Sequence, residues 1–129
     1  MMGAMQPKKL LSLWLPVLLW MGLISYLSAQ PGLKVVEGPM DFWTRKPAHV
    51  GEYAILFLFF FRAIKGSSSW KRREIYIGAG VLSFLFAVTD EFHQLLVPLR
   101  EGELADLGFD LLGIIAGIIF LRLKLIKSR

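Results

Sequence analysis

Glu52, Asp90 and Asp110 each sit well inside a hydrophobic segment of this 129-residue chain. An ionisable side chain at the centre of a membrane helix costs about 2.5–3.5 kcal/mol on insertion scales, so three of them require a reason. His49, Glu91, His93, Gln94 and Asp106 accompany them in the same segments, and Lys46 and Arg100 stand at the rim. Histidine beside carboxylates suits general acid–base work. The same nitrogen and oxygen donors suit a divalent metal such as Mg, Mn or Zn. Lys46 and Arg100 suit a phosphate or pyrophosphate headgroup. Like charges a few ångströms apart in low dielectric cannot all stay ionised, so protons, a metal or the bases must join the acids. Asp90, Glu91, His93, His49 and Glu52 are the catalytic candidates, with Asp90 or Glu91 as base or ligand, His93 as acid/base or ligand, and His49 as ligand. Lys46, Gln94, Arg100, Asp106 and Asp110 are the substrate-binding candidates, with Arg100 as the anion clamp.

The elements that must position these groups are membrane helices. The composition is 55% hydrophobic, with a mean hydropathy of +0.55, too apolar for an ordinary soluble domain. Residues 10–29, 48–64, 75–97 and 104–126 form four stretches long enough, or nearly so, to cross a hydrocarbon core of about 30 Å as helices. The expectation is one all-α domain over 1–129, a four-helix transmembrane bundle. Residues 30–47 carry Pro31-Gly32, Gly38-Pro39 and Pro47 and are expected to turn rather than continue as helix. Gly66-Ser67-Ser68-Ser69 reads as a flexible hinge, and 98–103 as a tight turn. Lys8-Lys9 before an apolar run ending Leu27-Ser28-Ala29 has some features of a signal peptide. Cleavage after Ala29, however, would put Leu27 where a small residue is preferred, and the run is long for such a leader.

Charge distribution sets the expected topology. Lys8, Lys9, Arg62, Lys65, Lys71, Arg72, Arg73, Arg122, Lys124, Lys127 and Arg129 fall on one side, against Lys34, Arg45, Lys46 and Arg100 on the other. The positive-inside rule places both termini in the cytoplasm of a multi-pass cell-membrane protein. The net charge of +5 is therefore a topology signal and not a nucleic-acid footprint. Cysteine is absent, so disulfides and thiol chemistry do not enter.

With a rise of 1.5 Å per residue, Glu52, Asp90 and Asp110 lie about 5–6 Å to the outer side of their span midpoints, a deep layer. His49, His93, Gln94 and Asp106 form a shallower one, about 10–12 Å out. Residues three and four apart share a helix face, which groups His49 with Glu52 and Tyr53, Asp90 with His93 and Gln94, and Asp106 with Asp110. Glu91 is about 100° around from Asp90, so the two are not expected to face one centre equally. Below Asp110 the stripe continues as Gly113 and Gly117, a small-xxx-small spacing that lets a neighbouring backbone approach.

These residues resemble the VanZ-like family of small membrane proteins. The resemblance rests on Leu27-Ser28-Ala29-Gln30-Pro31, on Lys46-Pro47-Ala48-His49-Val50-Gly51-Glu52-Tyr53, and on Asp90-Glu91-Phe92-His93-Gln94 followed by Val97-Pro98-Leu99-Arg100, Asp106 and Asp110-Leu111-Leu112-Gly113. It covers residues from about 10 to 122. Leu99 departs from the small residue expected before the arginine, and Asp110 from the Asn expected at its position, so the resemblance does not require a charge there. It implies an association with glycopeptide resistance, chiefly to teicoplanin, and an envelope role.

Three readings of the cluster stay open: an enzyme acting on a lipid or lipid-linked envelope precursor at the outer leaflet, a protein that binds or moves such a lipid by proton coupling, and a polar network that only fixes helix register. Four short helices are few for a transporter unless it forms a homo-oligomer. Tyr53, Trp14, Trp20, Trp43 and Trp70 read as packing or interfacial anchors, and the Phe57–Phe61 run as lipid-facing. Ser28 lacks any base tied to it by sequence and reads as a helix-end hydrogen-bonding group.

Overall fold

The structure, a computed structural model, describes residues 6–28, 39–96 and 104–127, except for the side chains of 28, 39–46, 94, 104–106 and 127. Four helices and no strands make up the described residues: α1 (Pro7–Ser28), α2 (Pro39–Ser67), α3 (Arg72–Leu96) and α4 (Leu104–Lys127). Three segments, Pro7–Leu27, Pro47–Ser67 and Arg72–His93, are long and apolar enough to cross a membrane. α4, at 24 residues, completes the all-α four-helix bundle.

α2 begins earlier than the sequence suggests. Pro39 opens it and Pro47 lies inside it, giving 29 residues of helix where a turning segment was expected up to Pro47. A proline's missing N–H is no loss in the first helical turn. Inside a membrane helix, one freed carbonyl is tolerated where neighbours re-satisfy it. The other end is tighter than a hinge. Gly66 and Ser67 still belong to α2, and the Ser67 and Ser68 hydroxyls donate back to the carbonyls of Ala63 and Ile64.

α2 is the central helix, and it contacts α1, α3 and α4. This position explains the largest departure from the sequence reading: Phe57, Phe60 and Phe61 are buried core residues, not lipid-facing ones. A helix hydrophobic all round has no polar face to give away its orientation. Only its neighbours decide which side meets lipid, and here three of them surround it. Tyr76 of α3 stacks on Phe57 with centroids 6.2 Å apart and tilts against Phe61 at 4.8 Å.

α1 is fastened along α2 by polar side chains. The Trp14 indole donates to the Ser67 hydroxyl at 3.2 Å, and Arg62 donates to the Ser12 carbonyl at 3.1 Å. Trp14 and Trp20 also meet Phe60 and Phe59 edge-on. α4 meets α2 backbone to backbone. A Cβ on Gly113 would collide with the Val50 carbonyl oxygen, and one on Gly117 would lie 2.9 Å from the Phe57 ring and 3.1 Å from the Ala54 carbonyl. The glycine spacing read from the sequence is thus the seam between α4 and α2. α3 presents Ile75, Ala79, Ser83 and Ala87 as a buried stripe at every fourth residue.

Candidate functional site

The buried ionisable residues His49, Asp90, Glu91 and Asp110 gather toward one end of the bundle, on three helices. His49 follows the α2 core stripe that runs on through Tyr53 and Leu56. Asp110 heads the α4 stripe that continues as Gly113, Ile114 and Gly117. Because the two glycines draw α4 onto α2, the two side chains meet: His49 Nδ1 lies 2.8 Å from Asp110 Oδ1, with both residues buried. The depth arithmetic separates them into different layers. The structure joins them, because an imidazole and a carboxylate together reach across the few ångströms of difference.

With Asp110 ionised, Nδ1 of His49 carries the hydrogen and donates it to the carboxylate, which fixes the ring and leaves Nε2 as its basic nitrogen. A carboxylate that orients a histidine and stabilises its protonated form is the arrangement general acid–base catalysis uses. It is equally able to lock two helices in register.

One turn further along α2, the Tyr53 hydroxyl lies 3.4 Å from Asp90 Oδ2 on α3, a long contact. Tyr53 is completely buried, and Asp90 is 3% exposed. Glu91 is also buried, with both carboxylate oxygens inside the bundle. Two consecutive acids share the interior because the inward direction passes between them. Taking Ala87 as the centre of the α3 stripe and about 100° per residue, Asp90 falls about 60° to one side and Glu91 about 40° to the other. His93 falls about 120° away on the same reckoning and is exposed. The three-residue spacing that groups it with Asp90 therefore carries it out of the interior.

Glu52 is half-buried on the flank of α2 facing α1, where its backbone carbonyl accepts the Trp20 indole hydrogen at 2.9 Å. The side chains of Lys46, Gln94 and Asp106 lie outside the described residues, as does all of Arg100. Among the described residues, no three His, Cys, Asp or Glu side chains converge as a metal site requires.

Two further side chains carry polar groups that the sequence does not single out. Trp20 ties α1 to the Glu52 turn, and Ser83 is a fully buried hydroxyl in the α3 stripe with no hydrogen-bond partner among the described residues. The four-residue recurrence of small residues, Ala79-Ser83-Ala87, was the available signal for Ser83.

Apolar helices of membrane-spanning length, closed around acids and an oriented histidine, define an integral membrane protein with a polar interior. The chain belongs to the VanZ/LLP1 family, whose model matches residues 13–126. No curated protein and no solved structure matches it.

Proposed function

We propose that this protein binds an envelope lipid or lipid-linked glycan at the outer leaflet and acts on it through the intramembrane polar cluster. The observation that carries this reading is the buried His49–Asp110 pair, with Asp90 and Glu91 buried on the facing helix. Burying this many ionisable groups among lipid-exposed helices is costly. Helix register alone can be set with small residues and hydroxyls, as Gly113, Gly117 and the Trp14–Ser67 bond already do here.

In this proposal His49 exchanges the proton, Asp110 orients it, and Asp90 with Glu91 supplies the second acidic group. Lys46 and Arg100 hold the anionic headgroup, while Gln94 and Asp106 contact its polar part. The orientation proposed with it places both termini in the cytoplasm and the His49 end at the outer leaflet. The family resemblance adds that altering this lipid changes susceptibility to glycopeptides such as teicoplanin.

Comparative lipid mass spectrometry tests the reading in cells lacking the protein, complemented with wild type, His49→Gln or Glu91→Gln at matched membrane levels. The expected result is a lipid or lipid-linked glycan whose mass changes with wild type and with neither variant. If no covalent species changes while glycopeptide susceptibility still follows His49, the protein binds or moves a lipid without altering it. If both variants complement fully, the cluster is structural and the proposal fails.

A further inference from the structure

At the opposite end of the bundle, a cavity of about 700 Å³ opens between the beginning of α3 and the end of α4. Arg72 and Arg73 line it from α3 and Arg122 from α4, while Ile77, Ile118 and Ile126 give it apolar walls. We propose that this cavity holds one anionic glycerophospholipid, its phosphate between the three arginines and its acyl chains along the isoleucines. The site is separate from the His49 cluster and does not depend on the function proposed for it.

Charge carries the argument first. None of the three guanidinium groups forms an ion pair or hydrogen bond with another described residue. The acid in the first turn of α3, Glu74, is exposed and does not line the cavity. Arg72 and Arg73 open a 25-residue helix, where the macrodipole already presents positive charge and disfavours cations. An anion seated there answers the dipole and the arginines together. Guanidinium is also the group that grips phosphate oxygens in pairs.

Shape and composition carry it further. The volume lies within the range of small-molecule sites, roughly 300–1,000 Å³. An open, part-apolar wall suits a ligand that is itself half hydrocarbon, and a soluble phosphate ester would leave the isoleucines uncovered. Basic pockets between membrane helices are recognised headgroup sites, and the leaflet met by the basic end is the anionic one under the positive-inside orientation.

Native mass spectrometry of the full-length protein in detergent, offered equal amounts of phosphatidylglycerol and phosphatidylcholine with matched acyl chains, tests the proposal. One phosphatidylglycerol per chain is expected to be retained in preference. Neutralising the arginines (Arg72→Gln, Arg73→Gln, Arg122→Gln) should lower its retention by about fivefold for each one. Lys124→Gln, an exposed cation on α4 that does not line the cavity, should change nothing. Glycerol 3-phosphate should not displace the lipid. Equal retention of phosphatidylcholine, unchanged retention by the triple variant, or displacement by glycerol 3-phosphate would each overturn the assignment. Should the triple variant not fold, Arg122→Gln alone decides between the same outcomes.

Discussion

A carboxylate enclosed by apolar helices holds its place only where something answers it, and at Asp110 part of that answer is His49 at 2.8 Å. In a double-mutant cycle of His49→Ala and Asp110→Ala, followed by reversible unfolding in mixed micelles, the coupling between them should be about 1 kcal/mol, in the range seen for hydrogen bonds inside membrane bundles. Asp110→Asn keeps an acceptor for the Nδ1 hydrogen and should cost less stability than Asp110→Ala. If it also leaves lipid turnover intact, a formal charge at that position is unnecessary, as the family resemblance suggests. The residue types were legible in the sequence, since acids and histidine inside apolar segments stand out. Their partnerships were not, because spacing along one helix is silent about the rotation of the next. His93 shows the cost of that silence: it shares a face with Asp90 by spacing, yet the centre of the α3 stripe lies toward Glu91 and leaves His93 exposed.

Elements follow from how closely backbones approach. Gly113 sits against the Val50 carbonyl, which cannot swing aside as a side chain would. Gly113→Ala should therefore force α4 off α2 and cost about 1–3 kcal/mol, and it should weaken the His49–Asp110 contact with it. Gly51 on α2 has open space where its Cβ would be, so Gly51→Ala should be neutral or stabilising by up to about 1 kcal/mol. Unfolding both variants in the same micelles separates a seam glycine from an incidental one. The Gly113–Gly117 spacing was readable because small residues four apart have one common structural use. The Phe57–Phe61 run was misleading because an aromatic segment looks the same whether lipid or protein surrounds it. Its placement became clear only with three neighbours around α2.

At the scale of the molecule, the number and approximate bounds of the helices among the described residues were legible from hydropathy, apart from the earlier start of α2 at Pro39. Orientation rests on charge alone and has a direct check, because the chain has no cysteine of its own. A cysteine introduced as Ser69→Cys should react with an impermeant maleimide only after the cells are opened, and Lys34→Cys should react in intact cells; the reverse pattern would invert the topology. The central position of α2 also bears on synthesis. α1 can fasten to α2 as soon as the first two helices have left the ribosome, through Trp14, Arg62 and Trp20. Asp110 is supplied by α4, which is made after α2 and α3. Until α4 has been made, His49 is in the membrane without the Asp110 carboxylate it will meet. A nascent chain stalled at Arg100 should therefore be degraded by membrane proteases faster than one that already includes α4, so that arrival of α4 shields His49.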